Sequence, residues 1–132
     1  MGFGNQWYTA AAENAETVEL PGGNKIRMVT APYFLLTKLE AFDGRGAGDY
    51  ILSHDLEDII AVLDGRPEIV DEIEGSNPEV KSGLSNRFKD LLKQRGFVEA
   101  VPGHMPADAA SQVRVSVVFS TLNKIIDLWA SD

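Results

Sequence analysis

Only two stretches of this chain alternate as a strand requires, and both precede residue 31. Thr17-Val18-Glu19-Leu20 and Lys25-Ile26-Arg27-Met28-Val29-Thr30 flank Pro21-Gly22-Gly23-Asn24, which reads as a tight turn and so predicts a β-hairpin. Everything downstream repeats at helical spacing. A lone hairpin is marginal in water unless helices or further strands cover it. The expected fold class is therefore α+β: an N-terminal β-hairpin, a small antiparallel sheet, packed by four to five α-helices. At 132 residues, positions 1–132 form a single domain, long enough to bury about two-thirds of its unfolded surface.

The first dozen residues, MGFGNQWYTAAA, read as a loop anchored by Phe3, Trp7 and Tyr8 that leads into a short helical turn. Pro32 suits the first turn of the next helix, whose apolar arc is Leu35, Leu36, Leu39 and Phe42 and which Gly44 is expected to end. Ser53 is the expected N-cap of a further helix with Leu56, Ile59, Ile60 and Leu63 on its inner face and Gly65 as its stop. A short helix is expected near Pro67. Asn77-Pro78 opens a longer one to Gln94, with Gly96 as its stop. After the loop around Pro102 and Pro106, Val115, Val118, Leu122, Ile125 and Trp129 recur at helical spacing, although Val113–Phe119 is rich in β-branched residues. Asp-Gly-Arg occurs at 43–45 and again at 64–66, each time after an apolar helix, as two similar helix exits.

Charge and composition exclude several functions. With no cysteine, the chain has no disulfide, thiolate metal site or cysteine nucleophile, and His54 and His104 are too far apart for a zinc spacing. No basic-then-apolar leader occupies residues 1–20 and no long apolar run follows, so a cytoplasmic protein that does not span a membrane is expected. A net charge of −8 argues against general nucleic-acid binding, which works by cations displacing counterions. The local basic stretch of Lys81, Arg87, Lys89, Lys93 and Arg95 reads as a solvated helix face.

The region most suggestive of chemistry is Ala31–Asp58. Phe34, Lys38 and Phe42 recur every four residues and stack along one line of a helix. Lys38 falls at the edge of the apolar arc, where its stem covers the phenylalanines or its ammonium faces an anion. On the next helix Asp55 projects close to the apolar arc, Asp58 lies on its outer side, and Glu57 faces solvent. Asp55 either caps the helix or orients a cation. Gly44-Arg45-Gly46-Ala47-Gly48 lacks the spacing of a phosphate loop and reads as a flexible inter-helix connection, with Arg45 and Asp49 as candidate polar groups. His104 reads as a loop residue.

These residues carry a resemblance. Ala-Pro-Tyr-Phe-Leu-Leu-Thr-Lys-Leu-Glu-Ala-Phe, then Gly-Arg-Gly, then Ser-His-Asp-Leu-Glu-Asp-Ile, resembles the nucleotidyltransferase-like family of abortive-infection toxins of the AbiEii/AbiGii type. That family has a KLxAxxxR helix followed by an RDxxDL-type helix start. The matching positions are Lys38, Leu39, Ala41 and Arg45, then Asp55 and Asp58, with His54 where the family often has arginine. The similarity runs from about Phe3 to about Phe97.

The resemblance implies the later part of a nucleotidyltransferase fold and, in an active member, transfer of a nucleotide from an NTP to RNA or protein. It implies Lys38, Asp55 and Asp58 as catalytic residues, Lys38 and Arg45 as nucleotide-binding residues, and Asp55 as a Mg²⁺ ligand. The cofactors would be Mg²⁺ and NTP, in a bacterial toxin–antitoxin setting. The family's first motif, a Gly-Gly or Gly-Ser turn before an Asp-x-Asp pair, has no counterpart, since no Asp-x-Asp occurs in this sequence. The expectation is therefore a truncated, non-catalytic or orphan module that self-associates as a homodimer through its hairpin and binds phosphate at Lys38. The alternative is an active transferase whose missing carboxylates come from another chain.

Overall fold

The computed structural model describes residues 5–46 and 49–129. Its strands are β1 (Glu16–Glu19) and β2 (Lys25–Met28), paired antiparallel with Val18 opposite Ile26. Pro21 and Gly22, the latter at φ 108°, occupy the central positions of the turn, with Gly23 N–H donating to the Leu20 carbonyl at 2.9 Å. A proline followed by a positive-φ glycine is the arrangement of a type II turn.

Around this hairpin are α1 (Asn5–Glu13), α2 (Ala31–Ala41), α3 (His54–Gly65), α4 (Ile69–Glu74), α5 (Pro78–Leu92), α6 (Arg95–Ala100), α7 (Ala109–Val113) and α8 (Val115–Asp127). Seven described helices follow the hairpin, more than the four to five expected, because α6 and α7 form where loops or a helix stop were read. The N-terminal turn is longer than expected as well. Trp7 on α1 packs on Tyr33 with ring centroids 6.5 Å apart, while Phe3 and the Tyr8 side chain lie outside the described residues.

The core is built around α2, which packs against α1, α3, α4 and α5. Leu35, Leu36 and Leu39 are buried on it, each contributing about 1.5–3 kcal/mol of transfer free energy relative to an exposed side chain. The α-helix ends at Ala41 rather than Gly44, and Phe42–Gly46 continue as a π-helical turn that carries Phe42 into the core. Ala47 and Gly48 of the expected flexible connection lie outside the described residues.

Helix α8 closes the other side against α5, where Ser85 Oγ donates to the Ile126 carbonyl at 2.7 Å. Val118, Leu122 and Ile125 are buried at the expected helical spacing, whereas Trp129 lies past the helix and is exposed. The β-branched residues before Phe119 do not divert the segment into a strand, because this apolar face packs against helices.

One boundary of α5 differs from expectation for a packing reason, and the other is where expected but capped differently. Helix α5 ends at Leu92, and Gly96 lies inside α6 rather than stopping α5. A Cβ at Gly96 would stand 2.8 Å from Cδ2 of the Tyr50 ring, so glycine there admits the ring. Asn77 occupies the N-cap position of α5, but its side chain makes no cap hydrogen bond and donates to the Tyr33 hydroxyl at 3.4 Å. Among the described residues no helix is long and apolar enough to cross a membrane.

Candidate functional site

The Lys38 constellation assembles where α2 meets the start of α3. Ser53 fixes that start, its Oγ accepting from the Leu56 N–H at 3.1 Å. Asp55 is thereby held in the first turn of α3, buried, and negative charge there is favoured by the helix dipole. Lys38 Nζ lies 2.7 Å from Asp58 Oδ2 and 3.7 Å from Asp55 Oδ1. The same ammonium sits over the Phe34 ring, 5.5 Å from its centroid. Phe42 does not share this contact; it is buried and packs on Tyr50 with centroids 5.5 Å apart. Lys38, Asp55 and Asp58, expected from sequence, are thus together, joined as an ion triad that ties α2 to α3.

The triad does not fit Mg²⁺. The two aspartates already face an ammonium, and a second cation between them would be repelled by it. Among the described residues no group of three or more His, Asp or Glu converges as metal ligands. Arg45 belongs by backbone to the π-helical turn, but its side chain lies outside the described residues. Asp49 is engaged locally, its Oδ1 accepting from the Leu52 N–H at 3.1 Å. His54 is almost fully exposed, with Nδ1 3.2 Å from Glu57. His104 does more than line a loop. Its Nε2 lies 2.6 Å from the Tyr50 carbonyl oxygen, so that nitrogen carries the proton and pins the segment leading into α3.

The two Asp-Gly-Arg exits share a structural role that sequence did not show. Asp43 accepts from Arg87 at 2.6 Å, and Asp64 accepts from Arg114 at 3.0 Å, so each aspartate ties its helix exit to a distant helix. Burial pushes the Asp43 carboxyl up, with the Arg87 charge and hydrogen bond opposing that shift. Within the basic stretch, Arg87 is committed to Asp43 and Arg95 to Glu99, while Lys89 and Lys93 are exposed.

Sequence reasoning missed a second feature, an open groove of about 400 Å³ between the hairpin and helices α2, α3 and α4. Its apolar lining, here called the floor, includes Val18, Met28, Phe34 and Val62, and its charged lining, here called the edge, is Glu16, Arg66 and Glu72. Arg66 donates to Glu72 in a two-pronged pair, Nε to Oε1 at 2.7 Å and Nη2 to Oε2 at 2.6 Å. That pair holds the Glu72 carboxyl below its ordinary range. The signal was present in the alternation of the hairpin, which puts Val18, Leu20, Ile26 and Met28 on one face.

No family model, no curated protein and no solved structure matches this chain. The geometry of the two sites is therefore what bears on function.

Proposed function

We propose that this chain is a non-catalytic, nucleotidyltransferase-like module that works by contact rather than by turnover. The observation that carries this reading is the ion triad. Lys38 Nζ, which would face a triphosphate, lies within 3.7 Å of both Asp55 and Asp58, so its charge is matched by the protein itself. A labelled-nucleotide transfer assay, with RNA and protein acceptors, tests this directly. No incorporation is expected, and incorporation dependent on Lys38 would sink the reading in favour of a transferase completed by another chain.

Phosphate affinity at Lys38 is the second reading, favoured by the exposure of Asp58. Its side chain is 46% exposed, free enough to swing away and yield the ammonium to an anion. Titrating ATP, GTP, CTP and UTP with Mg²⁺ against wild type and Lys38→Ala decides it. Tighter binding by the wild type supports it, and equal or absent binding in both removes it.

Exposed apolar surface supports the contact role, self-association included, because Ile26, Met28 and Val29 of the hairpin region are each more than 40% exposed. Charge narrows how a homodimer can form. β1 carries Glu16 and Glu19, and β2 carries Lys25 and Arg27, so either symmetric edge pairing sets like charge against like. A homodimer would therefore avoid both strand edges. Light scattering at tens of micromolar tests it, and a monomer there would remove self-association while leaving the non-catalytic reading intact.

A further inference from the structure

We infer that the groove between the hairpin and helices α2, α3 and α4 is a docking site for a cationic amphipathic segment of a partner protein. This rests on the contact reading above and adds the chemistry of the partner. The floor supplies the apolar half of the match. Val18 and Met28 come from the hairpin, Phe34 from α2 and Val62 from α3, and the volume of about 400 Å³ is in the range that accepts a few large side chains.

The edge supplies the electrostatic half. Glu16 and Glu72 both line the groove beside Arg66, and Arg66 is hydrogen-bonded to Glu72. Two acids against one arginine leave the edge negative. Glu16 is exposed, and Glu72 is the one committed to the guanidinium by hydrogen bonds. An apolar side chain flanked by lysine or arginine satisfies both halves at once.

A second copy of this chain is a poorer occupant. It would bring its own charge of −8 toward a negative edge. The cations of the hairpin do not reverse this: Arg27 is turned back onto the end of α1, donating to the Ala12 and Ala15 carbonyls at 3.0 and 3.2 Å, and Lys25 stands opposite Glu19 on the strand face away from Val18 and Met28.

The experiment uses the full chain and a short fluorescein-labelled peptide that alternates leucine and lysine, read by fluorescence anisotropy at low and high salt. Wild type is expected to bind it, more weakly at high salt. Met28→Ser, which thins the floor, and Glu16→Lys, which inverts the edge, should each weaken binding by about tenfold. Glu99→Lys on α6, the same change in net charge away from the groove, should leave binding unchanged.

Several outcomes would overturn the proposal. These are no binding by wild type, an equal loss in Glu99→Lys, or equal binding of a peptide with glutamine in place of lysine. So would a wild-type dimer in sedimentation that Met28→Ser dissociates, since a second copy would then occupy the groove. Nucleotide transfer by the wild type would strike the non-catalytic reading and leave the peptide result standing, so the two failures are distinguishable.

Discussion

At the scale of single residues, two glycines inside helices have opposite reasons to be there. Glycine costs about 1 kcal/mol relative to alanine in a helix interior, so either site would gain from substitution if space allowed. At Gly83 on α5, the nearest atoms to an added Cβ are Leu36 Cδ2 at 3.4 Å and the Trp7 ring at 3.5 Å, ordinary contact distances. Gly83→Ala should therefore stabilise by about 0.5–1 kcal/mol. At Gly96 the Tyr50 ring is too close, and Gly96→Ala should destabilise by about 1–3 kcal/mol through overpacking. Urea denaturation of the two variants reads the sign directly, and a stabilising Gly96→Ala would mean that Tyr50 moves freely. Lys38 is judged by the same measurement. Lys38→Met removes the cation from a buried Asp55 and should cost about 1–3 kcal/mol, whereas Asp58→Asn, at a half-exposed partner, should cost under about 1 kcal/mol. Equal stability of Lys38→Met and wild type would exclude a structural role for the triad.

Among the longer helices, legibility followed the apolar repeat. The apolar repeats of α2, α3 and α8 were readable because one face of each enters the core, and Ser53 was readable as a cap because its hydroxyl does what the sequence position implies. The ends of α2 and α5 were not. There the deciding partners, the Tyr50 ring over Gly96 and the core position of Phe42, come from elsewhere in the chain. The grouping of Lys38 with Asp55 and Asp58 was expected through the resemblance, and its character as an ion triad depended on a distance that spacing does not supply. Arg66 was passed over as part of a helix exit, and only the fold brings Glu72 to it. That pair connects the end of α3 with α4 and makes a pH-dependent contribution. The folded Glu72 carboxyl is depressed below its ordinary value of 4.5, first by the Arg66 hydrogen bond. Its stabilisation is therefore complete above that value and is lost as pH falls through the lower folded value. Glu72→Gln should lower stability by up to about 1 kcal/mol at neutral pH and match wild type once the carboxylate is protonated. Thermal melts across the acid range check this, and a difference that persists unchanged into strong acid would contradict it. Asp43 works in the opposite sense: burial raises its carboxyl, so its ionisation opposes folding as pH rises from 3.8 through the raised value.

For the whole molecule, stability is unevenly distributed, and that distribution bears on the contact role. The apolar residues of α2, α3, α5 and α8 form one continuous buried cluster, while every residue of β2 is exposed and only Val18 of β1 is even half-buried. The hairpin is attached by Arg27 to the end of α1 and by its short link into α2, and a two-stranded sheet has little stability of its own. Opening it exposes little apolar surface, so its hydrogen bonds should break without global unfolding. Native-state hydrogen exchange should show amides of Val18 and Ile26 exchanging through low-energy local openings, while those of Leu36, Ile60 and Leu122 exchange only near the global unfolding free energy. Hairpin protection equal to that of α2 would show that the sheet and the helical core unfold as one unit. A loosely held hairpin beside a rigid helical wall also makes a consequence for binding. A segment seated in the groove touches both Met28 and Val62, so it should raise hairpin protection toward the core value. Exchange measured with and without the leucine–lysine peptide therefore reads docking at the element where it occurs. Protection gained on α6 instead, with none on β2, would place the peptide elsewhere on the surface.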